Sequence, residues 1–171
     1  MIRGKFLTSM DDTTACLALR AQVFPGAQGE ADEYDRLAVY ALTFNEGGLP
    51  GGAGRLYIGD DSRFTIDRVG VVPEVRGQGL GDLLMRMLLY RALELNCAGV
   101  QLVSPVRLTG FFSRYGLRAQ GEAFEAGGEA CRVMYAERER IDIEGSCSKG
   151  KKCAGCEGDC ASCEKKEDEH A

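Results

Sequence analysis

Apolar and polar positions change period several times along the chain, and each change marks a predicted element. Residues 5–8 predict a short strand. Residues 11–23 predict a helix, with Asp11 or Asp12 as its cap and Leu17, Leu19 and Val23 near helical spacing; Pro25 and Gly26 stop it. Three β-rich segments follow, 37–44, 54–58 and 64–72, separated by turn clusters at 46–52 and 59–62. The two tight connections imply an antiparallel meander. The longest helix is predicted over 80–96, apolar at Leu80, Leu83, Leu84, Met87, Leu88 and Leu95, with Asp82 and Arg86 as an i,i+4 pair on its polar side. Gly99 closes it. A strand at 100–103, a short helix at 109–115 ended by Gly116, and a hairpin of 119–124 and 131–136 across Gly127 and Gly128 complete the pattern. A helix between the strand ending at Val72 and the strand beginning at Val100 is a crossover, so those two strands run parallel. The expected class is α/β, with a mixed, mostly antiparallel central sheet flanked by helices.

The pattern fails at one place. From Glu144 to Ala171 there is no Val, Ile, Leu, Met, Phe, Tyr or Trp, so this stretch cannot offset its conformational entropy by burying apolar side chains. The basic residues change type nearby: residues 1–139 hold fourteen Arg and one Lys, residues 140–171 five Lys and one Arg. The chain therefore divides into a folded body, 1–139, and an irregular Cys-rich tail, 140–171. Net charge is −5, with −3 in the body and −2 in the tail, which argues against a nucleic-acid binder. No apolar run is long enough to span a bilayer and the N-terminus lacks the apolar core of a secretory signal, so the expected location is the cytoplasm.

Candidate chemistry concentrates in Val69-Gly70-Val71-Val72-Pro73-Glu74-Val75-Arg76-Gly77-Gln78-Gly79-Leu80-Gly81, between a strand and the longest helix. Its glycines permit close backbone approach, and the helix N-terminus beyond them offers unpaired N–H groups and a positive dipole end. That combination suits a pyrophosphate. There is no Gly-Lys-Ser/Thr ending for a P-loop, and the glycine spacing is not that of the dinucleotide fingerprint.

These residues resemble the hallmark of the GNAT superfamily of acyl-CoA-dependent N-acetyltransferases, Arg/Gln-x-x-Gly-x-Gly/Ala, at Arg76, Gly79 and Gly81. The likeness extends over roughly residues 3–137. It takes in the early helix with Leu19-Arg20-Ala21-Gln22-Val23-Phe24, the meander and the crossover helix, and Phe111-Phe112-Ser113-Arg114-Tyr115-Gly116-Leu117, similar to the family's Phe-Tyr-x-x-x-Gly-Phe segment. The resemblance implies a GNAT-type fold. It implies that Gly77, Gln78, Gly79, Leu80 and Gly81 hold the CoA pyrophosphate with Arg76 supporting the loop, and that Val69, Gly70 and Val71 lie beside the acyl-pantetheine arm where two parallel strands splay. Gly70 has a second reading, relief of crowding at a bulge.

Attack of an amine on a thioester needs a neutral amine, a donor to the oxyanion and an acid for the leaving thiolate. The position of the family's tyrosine acid is occupied by Phe112. Tyr115, one helical turn on, is the substitute candidate, against the alternatives of a core aromatic and protonation by water. Asp67 is the candidate base, acting through a water, or else a strand residue paired with Arg68 or Arg63. Glu30, Asp32, Glu33 and Asp35 follow the first helix, where the resemblance implies the acceptor site borders; they recruit a cationic amine by charge or form a solvated loop. His170 is the only histidine and lies in the tail, so a Ser-His-Asp triad is excluded from the body. Cys16, Cys97 and Cys131 read as small buried hydrophobes without a role.

The tail carries Cys147 and then Cys153-x2-Cys156-x3-Cys160-x2-Cys163. Two Cys-x-x-Cys pairs suit a tetrahedral zinc site, five thiols also suit an iron–sulfur cluster, and a thiol-rich tail without metal is the third reading. The main expectation is an N-acetyltransferase that moves an acetyl group from acetyl-CoA to a primary amine of a small molecule or protein, with a metal-binding extension. Its partners are an acyl-CoA, an amine acceptor and a second copy in a homodimer, with neither nucleic acid nor membrane. Two other classes stay open: an acyl-CoA- or metal-sensing module without transfer, and a metal or redox protein acting through its tail.

Overall fold

The computed structural model describes residues 1–144, and the tail cysteines and most of the 140–171 region lie outside that range. Seven strands form one sheet in the order β1-β2-β3-β4-β5-β7-β6: β1 (Arg3–Leu7), β2 (Val39–Phe44), β3 (Pro50–Ile58), β4 (Phe64–Val71), β5 (Gly99–Pro105), β6 (Arg118–Ala126) and β7 (Glu129–Glu137). Pairing is antiparallel for β1–β2, β2–β3, β3–β4 and β6–β7, and parallel for β4–β5. Three helices accompany them, α1 (Thr14–Val23), α2 (Leu80–Glu94) and α3 (Thr109–Ser113). The expected mixed sheet, meander and crossover are therefore present. The chain forms two compact units, 1–102 and from Val103 onward.

In the first unit, strand alternation explains how the sheet is sandwiched. Ala53 of β3 belongs to an apolar cluster with Leu7, Cys16, Leu19, Tyr40, Leu42 and Val72, which places α1 on that face. On the opposite face Gly52 and Gly54 lie against Leu84 and Leu88 of α2, where an added Cβ would sit only 3.0 Å from each leucine. This close packing explains why β3 starts at Pro50: the glycines that read as a turn are strand residues on which a leucine-rich helix rests. The turn is shorter, with Asn45 N–H donating to the Leu49 carbonyl at 2.9 Å and Gly48 N–H to the Asn45 carbonyl at 2.9 Å.

Helix α1 begins at Thr14, three residues later than expected at its earliest. Asp11 Oδ2 accepts from the Thr8 amide at 2.8 Å and so closes a turn, while Asp12 Oδ1 accepts from the Thr14 amide at 3.0 Å. Helix α2 buries Leu80, Leu84, Met85, Leu88, Leu89 and Ala92, a wider face than the expected stripe. Leu95 falls just beyond its end and is 50% exposed. Asp82 and Arg86 form the expected pair at 2.6 Å. The second unit carries α3 and the β6–β7 hairpin, whose pairing runs from Arg118–Tyr135 to Ala126–Glu129 with an irregularity between Gln120 and Phe124.

Candidate active site

Strand β4 has two different edges. Against β3 it is paired nearly throughout, from Ile58–Phe64 to Gly52–Val71. Against β5 the pairing covers Phe64–Val100 and Thr65–Gln101, and the strand continues through Val71 beyond it. The edge from Ile66 to Val71 thus offers its outward N–H and C=O groups, apart from the Val71 carbonyl, to an extended ligand.

Between Ala53–Gly70 and Arg55–Asp67 the register slips, so three steps along β4 oppose two along β3. This is a β-bulge, and within it Arg68 has φ +51°. Gly70 follows. A Cβ there would lie 2.7 Å from Val23 Cγ1 and 2.9 Å from the Phe24 ring, so the crowding that demands glycine comes from the end of α1.

Beyond β4 the chain makes a 3-10 turn at Pro73–Val75, and Arg76 Nε donates back to the Val71 carbonyl at 3.0 Å. Gly77 and Gly79 have φ +80° and +83°, conformations that L side chains rarely adopt. Gly79 is the N-cap of α2 and supplies no side-chain cap, so the first-turn amides of the helix are left for a ligand. Leu80 is 1% exposed and anchors the turn in the core, while Gly77, Gln78 and Gly79 are exposed. An open strand edge leading into an uncapped glycine turn and a fifteen-residue helix is an arrangement for an extended molecule that ends in phosphates.

Residues 14–116 match the Acetyltransferase (GNAT) family. The chain belongs to that family. A GNAT protein is an acyltransferase that takes its acyl group from an acyl-CoA, and this chain is one. Among solved structures it is similar to ElaA of Escherichia coli (23% identity, TM-score 0.72, covering 80% of this chain and 100% of that one) and to an acyl-CoA N-acyltransferase of Pseudomonas aeruginosa (24%, 0.70, 80% and 99%). A GNAT acetyltransferase of Elizabethkingia anophelis with acetyl-CoA bound is also similar (17%, 0.62, 80% and 97%). A comparison with curated proteins gave no match.

The acidic segment after α1 departs from its expected role. Asp32 and Asp35 point inward to two guanidiniums that the sequence reading missed. Arg55, 1% exposed, donates Nε to Asp67 Oδ1 (2.6 Å), Nη2 to Asp67 Oδ2 (2.9 Å), Nη1 to Asp32 Oδ1 and Asp35 Oδ1 (both 2.6 Å), and Nη2 to Asp32 Oδ2 (2.7 Å). Arg20, 3% exposed, holds Asp35 by a two-pronged contact at 3.0 and 2.7 Å and donates to the Glu30 carbonyl at 3.1 Å. The Tyr40 hydroxyl donates to Asp35 as well. Burial alone would raise Asp35, but hydrogen bonds from Arg20, Tyr40, the Asp32 amide and Arg55 outweigh it and hold its carboxyl far below the usual range. Hydrogen bonding from Arg55 lowers Asp32. Glu30 and Glu33 stay exposed. The segment is thus a capped 3-10 turn, residues Glu33–Arg36, clasped to the sheet.

Asp67 is paired with Arg55, not with Arg68 or Arg63, and both of its oxygens are occupied. Tyr115 lies in the second unit with no exposed surface, beside Phe111 (ring centroids 5.6 Å apart) and accepting from Arg114 Nη2 at 3.4 Å, the setting of a core aromatic. Phe112 is buried too. Cys16, Cys97 and Cys131 are buried free thiols, and burial pushes Cys16 up to about 11, which keeps it protonated at neutral pH. Among the described residues no group of His, Cys, Asp and Glu is arranged to hold a metal, and no helix is long and apolar enough to cross a membrane. Cys147, Cys153, Cys156, Cys160 and Cys163 lie outside the described residues.

Proposed function

We propose that this acyltransferase moves an acetyl group from acetyl-CoA to a primary amine by direct attack, without a covalent enzyme intermediate. The observation that carries the reading is the continuity of the open β4 edge with the uncapped glycine turn. The amides of Gly77, Gln78, Gly79, Leu80 and Gly81 bind the pyrophosphate, and Arg76 fixes the turn through the Val71 carbonyl. Val69, Gly70 and Val71 extend beside the pantetheine arm, where a backbone N–H donates to the thioester carbonyl.

The amine nitrogen adds to that carbonyl carbon, and the same N–H stabilises the oxyanion. The intermediate collapses by breaking the C–S bond; the nitrogen gives its proton to water and the thiolate takes one from water. We assign Asp67 to holding Arg55, which engages both of its oxygens, and Tyr115 to packing, since it has no exposed surface. We place the enzyme in the cytoplasm, where buried thiols and a thiol-rich tail stay reduced. The five tail cysteines are assigned a metal by their spacing, checked by the metal content of the full chain against a chain ending near Arg140.

The test of the main reading is thiol release from acetyl-CoA with a panel of primary amines. One CoA thiol per N-acetylated product is expected. Binding of acetyl-CoA with no amine-dependent release would make the protein a sensing module instead.

A further inference from the structure

The bulge in β4 has a consequence for the acceptor. In a regular strand consecutive side chains leave on opposite faces. Here Asp67 and Arg68, adjacent in sequence, both reach the same ionic cluster: Asp67 is held by Arg55, and Arg68 Nη2 approaches Asp32 Oδ2 at 3.8 Å. Among the described residues only Ser62, Arg68 and Asn96 have positive φ without being glycine. Ser62 lies in the turn before β4 and Asn96 just after α2, so Arg68 alone holds that conformation inside a strand. A backbone strained in this way persists where its surroundings over-determine it, and such sites concentrate where ligands bind.

The cluster does not need Arg68 to satisfy its oxygens. Both oxygens of Asp32 accept from Arg55, both oxygens of Asp67 accept from Arg55, and those of Asp35 accept from Arg20, Arg55, Tyr40 and the Asp32 amide. The Arg68 guanidinium makes one long contact, to Asp32, whose oxygens already accept from Arg55 and the Tyr34 amide. Its Nε is buried and has no hydrogen-bond partner, an arrangement that carries a cost unless something fills it. The side chain is 23% exposed, so a ligand can reach it, and the next residue, Val69, starts the segment assigned to the acyl arm.

We propose that Arg68 binds a carboxylate of the acceptor, so that the substrate is an amine of the amino-acid type. This rests on the acyl-transfer reading above. It narrows the expectation of a cationic amine drawn to the acidic segment, because Asp32 and Asp35 of that segment turn inward to Arg20 and Arg55 and leave Glu30 and Glu33 exposed. A planar guanidinium suits a two-point grip on a carboxylate, and a shift of the side chain that uncovers its unpartnered Nε would bring that atom into the grip and fix the amine of the same molecule against the thioester.

The experiment compares amino acids with their own carboxamides as acceptors for the full chain, the Arg68→Gln variant and the Arg68→Lys variant. In the wild type, kcat/KM for the acids should exceed that for the amides by roughly 10- to 100-fold. Arg68→Gln should reduce this ratio to near one with its acetyl-CoA affinity intact, and Arg68→Lys should keep part of it. If no amine turns over, N-acetylated amino acids and their amides are titrated calorimetrically into CoA-saturated protein, where the same preference and its loss are expected. Equal use or equal binding of acids and amides by the wild type overturns the proposal, whether or not the variants fold. A wild-type preference that Arg68→Gln retains also overturns it, even where that variant loses thermal stability, since the residue then only balances the cluster. Failure of acetyl-CoA to bind at all would instead overturn the acyl-transfer reading.

Discussion

Replacing Arg55 by Met removes the group on which three carboxylates converge while keeping most of its apolar stem volume. Arg55 is 1% exposed, and Asp35, Asp67 and Asp32 are 14, 25 and 31% exposed, so the cluster is largely withdrawn from water. Removing one partner of a buried ion pair leaves uncompensated charge and costs about 3–5 kcal/mol. For a folded body of this size, at about 2.1 cal/mol/K of unfolding entropy per residue, that loss lowers the melting temperature by about 10–17 °C.

The pH dependence identifies the cause. In the variant the clustered carboxylates repel one another, so their folded-state pKa values rise above the unfolded ones. A penalty of that kind is full at neutral pH and fades as pH falls toward the raised values. The gap between wild type and variant should therefore narrow between pH 7 and pH 5, as measured by urea unfolding at each pH. Arg86→Ala is the control: its pair with Asp82 is one-third exposed on a helix surface and should cost only about 0.3–0.5 kcal/mol. A loss for Arg55→Met below about 1 kcal/mol, or a gap that does not change with pH, would refute the reasoning.

Gly70→Ala drives a methyl to 2.7 Å from Val23 Cγ1 and 2.9 Å from the Phe24 ring, an overpacking worth about 1–3 kcal/mol in urea unfolding; no change would mean that the end of α1 does not press on β4 as described. Wild-type stability should be level from pH 7 to pH 5 and decline below about pH 4. Asp35 and Asp32 have folded-state pKa values below the unfolded value, so their contribution is full above that value and is lost as pH falls through it toward the folded ones. Stability unchanged down to pH 3 would contradict the ionic clasp.

The glycine turn proposed for the cofactor was legible because its chemistry uses backbone. Gly77 and Gly79 at positive φ, Arg76 at hand to return to the strand, and a helix starting at Leu80 are local facts, and a local pattern can announce them. The ionic cluster was not. Arg20 and Asp35 are fifteen residues apart and Arg55 and Asp32 twenty-three, so nothing short of the folded meander brings them together. The four carboxylates after α1 read as one acidic patch, whereas two of them face inward and two face solvent. A cue was present in Arg55, a charged residue in a strand otherwise built of glycine and apolar side chains, which is a poor place for a cation without partners. Gly70 hinted at the bulge, but nothing marked Arg68 as its positive-φ residue, since arginine does not favour that conformation. The first β3 glycines misled for a related reason: Gly51 lies against Val75 and Leu80 and Gly52 against Thr43 and Leu84, and sterics across a sheet resemble a turn when read along the chain.

Calorimetric titration of acetyl-CoA into the protein and into a Gly79→Val variant tests the central claim most directly. Gly79 sits at φ +83° as the cap of α2, where a branched side chain both strains the turn and shields the helix amides. One acetyl-CoA per chain is expected, with at least a roughly tenfold weaker affinity in the variant and the variant folded by circular dichroism. Acetyl-CoA that binds the variant as tightly as the wild type, or does not bind the wild type, would contradict it.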